Sequence, residues 1–386
     1  MRRLLLGLAV VAGLWGAGVA PALGAPPASQ ADRALDRALR GLVAMPGGLP
    51  GAIAVVQRGQ RRKVHVAGVA DVRTGAPLRI RKQMRIASVS KAFSGAVALT
   101  LLDEGVLSLD DTIGDLLPDL PTDWHPVTLE QLLAHTSRLP DYTGSQGLVD
   151  GITASPVIAP PPRELLGYVA EDGLVPGDGY IYSNSDNIAI GLIVEAALGA
   201  SYERSIRAKV AAPLRLRRTA MGVGALLPRP FIHGYERVGA GGLEDQSQQI
   251  GWGGWAWASG GIVSTPGNLN RFVRAYAGGE LFLGQARRRQ YRFIPGAESH
   301  PPGPGANAGG LALFRYRTRC GTVFGHTGSI PGYTQLSAST RNGRRSLTFT
   351  VTRQMPDELL PALRRAQVRA VCAAKAKPRP RRRRPR

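Results

Sequence analysis

Cysteine, histidine and acid are all scarce in this chain: two cysteines, six histidines and 27 acidic residues stand among 386 positions. With Cys320 and Cys372 alone, a cysteine-rich zinc or iron–sulfur site is excluded, and no histidine stands at ligand spacing beside either thiol. No metal is therefore expected. Long apolar runs are missing too. Only Leu4–Val19 approaches the length that crosses a bilayer, which excludes a protein with several membrane spans. Internal repeats are absent, so a solenoid of stacked units is excluded as well.

The shortage of acids leaves a net charge of +22, from 49 basic residues against 27 acidic ones. Eight of those charges fall in Lys375–Arg386, leaving +14 for the rest. A Pro/Arg tail of that kind cannot bury a core and is expected to be disordered over 375–386. Its natural counter-charge is an anionic cell-envelope polymer or lipid surface, and the alternative is a solvated tail with no partner. No recognition motif for nucleic acid is present, so nucleic acid is not an expected partner. At the other end, Arg2 and Arg3, the apolar Leu4–Val19 and the small residues Ala22-Leu23-Gly24-Ala25 read as an export signal over 1–25. An uncleaved anchor is the competing reading. Export predicts a secreted or extracytoplasmic protein and makes Cys320 and Cys372 a candidate disulfide, against two buried free thiols.

Between these ends, 44% hydrophobic content is enough for one large core, and a single monomeric unit over 26–374 is expected. Ala31–Leu42 has helical spacing, and 51–56 and 63–69 read as strands. A helix starts at Ser88, runs through Ala96, Leu99 and Leu102 and stops at Gly105. From 107 to about 257 the pattern turns to helices and Pro/Gly-rich loops. Strand signals return at 310–316, 322–325, 333–339 and 345–352, with Asn342-Gly343 a hairpin turn, before a helix over 357–373. The predicted class is α+β. An antiparallel sheet built from both chain ends (about 30–106 and 258–374) is flanked by helices and interrupted by a mostly helical insert (about 107–257).

Three short motifs carry chemistry. Ser88-Val89-Ser90-Lys91 puts a hydroxyl and an amine on one helical face, within reach of each other. A serine alcohol is a poor nucleophile at neutral pH until a neighbouring base takes its proton. Lysine can be that base only when desolvation or nearby positive charge lowers its usual pKa, and Phe93 with its small neighbours suits a buried helix. The alternative is an exposed helix start capped by Ser88. Tyr182-Ser183-Asn184 lies on a loop before an apolar helix. Its phenol can relay a proton, and Asn184 can bond both the lysine and a substrate amide. Ser185 or Asp186 is expected to cap the following helix. The alternative is a plain polar turn.

His326-Thr327-Gly328-Ser329 follows an apolar strand. Gly328 lets a ligand approach the backbone, Thr327 and Ser329 can bind a carboxylate or carbonyl, and the Ser329 N–H can join that of Ser88 as an oxyanion hole. His135, on an apolar helix, is expected to pack or cap. Gly253-Gly254 with Trp252, Trp255 and Trp257 reads as a cleft wall or as stacked core aromatics.

Together these motifs resemble the penicillin-recognising serine hydrolases, in the branch that holds serine DD-carboxypeptidases and class C β-lactamases. The resemblance runs from about Gly51 to Cys372 and includes 127–137 (VTLEQLLAHTS), 258–265 (ASGGIVST) and 325–333 (GHTGSIPGY). It implies a β-lactamase/DD-peptidase-like fold and an acyl-Ser88 intermediate, with Lys91 and Tyr182 catalytic and no cofactor. Asn184, His326, Thr327, Gly328 and Ser329 are the implied substrate-binding residues. His326 where β-lactamases usually have lysine, Tyr182, Asp141-Tyr142-Thr143 and the Cys320/Cys372 pair are similar to exported DD-carboxypeptidases. The expected substrate is accordingly a peptidoglycan stem peptide ending in D-Ala-D-Ala, with penicillin acylating the same serine. A β-lactamase and an esterase or D-aminopeptidase are the alternatives. Two positions depart from the pattern. Arg138 stands where glycine is usual, and Phe314 stands close to where such carboxypeptidases hold the substrate carboxylate with an arginine; strand alternation sends Arg315 to the other face.

Overall fold

The structure, a computed structural model, describes residues 29–222, 224–239 and 242–376. The expected signal segment 1–25 and tail residues 377–386 lie outside the described residues. Helix α1 (Gln30–Ala44) is capped by Ser29, whose hydroxyl accepts from Asp32 N at 3.2 Å. It is followed by β1 (Gly51–Arg58), β2 (Arg61–Gly68), β3 (Met84–Arg85) and α2 (Ser90–Asp103). The insert contributes α3 (Leu129–Ala134), α4 (Ser185–Leu198), α5 (Tyr202–Ile206), β4 (Ala220–Met221), β5 (Tyr235–Val238) and β6 (Gly242–Asp245). Then come α6 (Trp257–Gly260), β7 (Ile262–Ser264), α7 (Pro266–Gly278) and β8 (Ile294–Pro295). Strands β9 (Ala306–Gly310), β10 (Leu313–Thr318), β11 (Gly321–Ile330), β12 (Tyr333–Ser339) and β13 (Arg345–Val351) lead into the closing helix α8 (Leu360–Lys375).

An eight-stranded antiparallel sheet has the order β2-β1-β13-β12-β11-β10-β9-β8. The first and last strands of the chain therefore lie side by side, with Ala52 opposite Val351 and Arg58 opposite Arg345. Their composition explains the placement. β1 is buried along almost its whole length, as a strand covered on both faces must be, whereas edge strand β2 buries only His65 and Ala67. One face is covered by α1 and α8, where Leu35, Leu39 and Leu42 recur at helical spacing against Leu347 and Phe349. Each such leucine contributes about 1.5–3 kcal/mol by burial. The other face is covered by α2 and α7, with the Phe93 and Phe272 rings stacked at 3.6 Å.

Helix α2 is buried all round from Ser90 to Leu101, so a lysine in its first turn is desolvated. Cys320, in the β10–β11 turn, is bonded to Cys372 on α8 with a Cα–Cα distance of 5.1 Å. Closing that loop is worth about 4 kcal/mol in the chain-entropy account.

Two boundaries differ from the sequence reading. The insert is not purely helical: β4 joins β3 and β7 in a small sheet of order β3-β7-β4, and β5–β6 form a hairpin. A two-residue strand is too short to show alternation, and Glu236 and Arg237 made β5 look like loop. Lys375, assigned to the tail, is the last residue of α8; its carbonyl and that of Ala376 accept from Arg345 Nη1 at 2.5 and 2.9 Å.

Candidate active site

Ser88 sits in a single 3-10 turn (Ala87–Val89) ahead of α2, rather than on the helix itself. Ala87 adopts φ +50°, a left-handed conformation that is costly for a residue with a Cβ. That kink presents Ser88 at the cleft while α2 runs into the core. From the other side β11 closes on the turn at Gly328, where a Cβ would lie 2.8 Å from Ser88 N and from Ile86 O. Only glycine allows that approach. β10 pairs with β11 only as far as Gly325, so beyond that point one backbone edge of β11 is left to the cleft.

Lys91 is fully buried, and three atoms surround its Nζ. Asn184 Oδ1 lies at 2.6 Å, Ser259 O at 2.8 Å and Ser88 Oγ at 3.3 Å. Burial pulls its pKa down to about 7, while the carboxyls of Asp141 and Asp186 pull the other way. A neutral amine has two hydrogens and one lone pair. The two carbonyl oxygens can only accept, so they take the hydrogens, and the lone pair is left facing the one neighbour able to donate, the Ser88 hydroxyl.

The second motif is held against the loop that follows α3. Ile181 N donates to His135 O at 2.8 Å, and Asn184 Nδ2 donates to Asp141 Oδ2 at 2.9 Å and to Thr143 Oγ1 at 3.1 Å. Ser185 Oγ donates to Pro140 O at 2.6 Å and accepts from Tyr142 N at 3.0 Å. Asp186, fully buried, meets His135 Nδ1 at 2.6 Å and accepts from the Ser137 hydroxyl. Neither Ser185 nor Asp186 caps α4, contrary to expectation; Asn184 occupies the cap position without a side-chain bond, and its neighbours are drawn into the loop contacts instead. Burial raises the Asp186 carboxyl well above its ordinary range and lowers His135 to about 3, so the imidazole is neutral at pH 7.

His135 does cap α3, at φ +55°, and its ring lies 4.6 Å from that of Tyr182. The Tyr182 ring is in turn 5.1 Å from Lys91 Nζ. Burial pushes the Tyr182 phenol up, with the Ser88 hydroxyl opposing, so it stays protonated at neutral pH. Arg138 takes φ +66°, which accounts for glycine being usual there, and its guanidinium donates to the carbonyls of Val175, Pro176 and Asp178.

The third motif behaves differently from its expected role. Thr327 has no exposed surface, and its hydroxyl donates to Pro301 O at 2.6 Å. The threonine is thus committed to the fold, because a loop carbonyl already occupies it. His326 Nδ1 donates to Thr327 O at 2.5 Å, and burial lowers the ring to about 3, so it is neutral with an unpartnered Nε2 lone pair. Phe314 packs edge-on against it at 5.0 Å, while Arg315 lies over Phe293 at 4.9 Å, on the other face of the sheet as alternation requires. Ser329 is half-buried at the cleft edge, its hydroxyl 3.4 Å from Thr334 Oγ1. Asp141, Ser259, His135 and Asp186 were given no catalytic or binding role by sequence reasoning. The one available signal was that His135, Asp141 and Ser259 fall in runs carrying the family resemblance.

A buried lysine beneath a serine at a strand edge, set in a sheet made from both chain ends, defines an acyl-serine hydrolase of the penicillin-recognising class. The model for the Beta-lactamase family matches residues 35–371, and the chain belongs to that family. It is 24% identical over 339 residues to Penicillin-binding protein 4* of Bacillus subtilis (strain 168), covering 82% of this chain and 71% of that protein. Among solved structures, the D-amino acid amidase from Ochrobactrum anthropi SV3, complexed with L-phenylalanine amide, superposes with a TM-score of 0.77 at 25% identity. That likeness covers 90% of this chain and 99% of the amidase. The D-stereospecific amidohydrolase from Streptomyces sp. gives a TM-score of 0.74 at 26% identity, covering 86% and 97%.

Proposed function

We propose that this serine hydrolase acylates Ser88 with the acyl part of D-configured amides and peptides. The observation that carries the reading is the Lys91 lone pair directed at the Ser88 hydroxyl. In this scheme Lys91 takes the Ser88 proton as Oγ attacks the carbonyl carbon, and the backbone N–H groups of Ser88 and Ser329 hold the oxyanion. Neutral Tyr182 donates its phenolic proton to the leaving nitrogen and is restored by the proton that Lys91 received. Water then cleaves the acyl–Oγ ester.

Within that chemistry, the geometry favours a neutral leaving side over a D-alanyl-D-alanine carboxypeptidase. A carboxylate would meet Phe314 and a neutral His326, whose free nitrogen accepts and does not donate. Of the two expected carboxylate ligands, Thr327 has given its hydroxyl to Pro301, which leaves only the Ser329 hydroxyl at the cleft edge. An amide nitrogen supplies the donor that His326 Nε2 lacks. The amidase and amidohydrolase likenesses support the same reading. Export remains part of the proposal, with 1–25 as the signal and the basic tail as an electrostatic tether to anionic envelope material; salt release of the full chain, but not of a chain ending at Ala376, from isolated envelopes tests it.

The test is a mass-spectrometric panel of D-alanine amide, a D-Ala-D-Ala peptide, benzylpenicillin and a short ester, recording turnover and trapped adduct. D-Alanine amide should turn over fastest, and Ser88→Ala should lose both turnover and adduct. Faster release of D-alanine from the dipeptide would restore the carboxypeptidase. Undiminished turnover by Ser88→Ala would remove the nucleophile.

A further inference from the structure

Gly253-Gly254 and Trp257 do line a cleft, and it is not the catalytic one. A groove of about 1190 Å³ runs over them, and neither Ser88, Lys91, Tyr182, Asn184 nor His326 lines it. Its floor is apolar, formed by Ile206, Leu216 and Met221 beside the two glycines. The glycines let that floor pack closely, since a Cβ on Gly253 would lie 2.1 Å from Gly222 O and one on Gly254 2.6 Å from Ala159 Cβ. Trp257 is held there by a tilted ring contact with Tyr202, centroids 4.9 Å apart, and by donating its Nε1 hydrogen to Glu203 Oε1 at 2.9 Å. One lip is hydrophobic and open to water: Val157 is 47% exposed and Ile158 74%.

The rim is cationic. Arg204, Arg207, Arg215 and Arg217 all line the groove, and among the described residues none of them makes an ion pair. Glu203 is the single acid in the lining, and it is engaged by Trp257. Four uncompensated guanidiniums around an apolar trough match a molecule with an apolar chain and an anionic head. Scattered surface leucines and valines need no explanation, but a recessed apolar floor ringed by one sign of charge does.

We infer that this groove is a second binding site, for a dissolved single-chain anionic amphiphile whose chain lies on the glycine–tryptophan floor and whose carboxylate or similar head is held by the arginines. A concave site favours a single molecule over a bilayer surface.

The experiment is a calorimetric titration of the full protein with sodium dodecanoate below its critical micelle concentration. Saturable binding of one equivalent is expected, with butyrate and dodecyltrimethylammonium failing to bind. Arg204→Glu/Arg207→Glu should weaken dodecanoate by at least about tenfold, and Ala212→Trp, which fills the trough, should abolish binding. In both variants, unchanged acylation of Ser88 by benzylpenicillin reports an intact fold. Equal binding of the cationic amphiphile, or of dodecanoate by the double variant, would overturn the site. Absence of dodecanoate binding would overturn it, and sedimentation with anionic phosphatidylglycerol vesicles that is then lost in Arg204→Glu/Arg207→Glu would make the groove a membrane-facing surface instead.

Discussion

Arg85 and Lys91 flank the turn that carries Ser88, six residues apart, and both cations are buried. Their surroundings make them opposites. Arg85 spreads its charge over carbonyls from the insert, with Nη2 donating to Ala225 O at 2.7 Å, Ser247 O at 3.1 Å and Ile250 O at 3.3 Å. Burial pulls its pKa down too, yet a guanidinium starts so high that it stays charged. Lys91 meets only two carbonyl oxygens and a hydroxyl, and about 7 is low enough to free its lone pair. One buried cation ties loops together; the other is held at the edge of losing its proton. Burial lowers both, and only the lysine, which starts lower, is brought to about 7.

The largest effect should come from removing the tuned amine. Lys91→Met is expected to cut the rate of Ser88 acylation by about 10³-fold or more, because no other base reaches the hydroxyl. For the unaltered protein, kcat/KM should fall tenfold per pH unit below about 7, as Lys91 protonates. Stability should show the same group with its own sign. Between about 7 and 10.5 the unfolded chain holds a proton that the native lysine has released, so stability rises with pH across that window. Denaturation of Lys91→Met should lack that rise. A methionine variant that keeps the slope would place the titration elsewhere and break the contrast.

Arg85→Met should do the reverse. Its loss strands three carbonyls in the core, and stability is expected to drop by about 2–4 kcal/mol. The acylation rate per folded molecule should stay within about threefold of the parent. Denaturant unfolding together with active-site titration by penicillin separates the two. A deep loss of rate in the folded fraction would show that Arg85 tunes Ser88 as well as the architecture.

Much of the site could be read from the chain, because Ser88, Lys91 and Gly328 announce themselves by local spacing. The helix spacing, apolar flanks and glycine before a strand are short-range signals, and so was the sheet assembled from both chain ends. What stayed hidden depends on partners from unrelated loops. Nothing near Thr327 shows that Pro301, 26 residues earlier, takes its hydroxyl. Nothing near Asp186 shows that His135 and Ser137 draw it away from a helix cap. The 2-residue strand β4 was hidden for a simpler reason, since it is shorter than one full alternation.

The smallest expected effect tests how finely Lys91 is balanced. Asp141 does two things at once: it accepts from Asn184 Nδ2 at 2.9 Å, fixing the oxygen that faces Lys91, and its charge pulls the lysine pKa up. Asp141→Asn removes the charge and keeps the shape. Losing a nearby negative charge disfavours the ammonium, so the acid limb of kcat/KM should move below about 7, by several tenths of a unit to about one. Thr143 can turn its hydroxyl to accept from the new amide, although its backbone N–H cannot, so kcat should fall only severalfold. The two consequences separate on a pH profile: the plateau drops, and the midpoint shifts to lower pH. A shift to higher pH would mean that Asp141 acts on the lysine mainly through Asn184, and that hydrogen bonding sets the proton affinity of the base more than charge does.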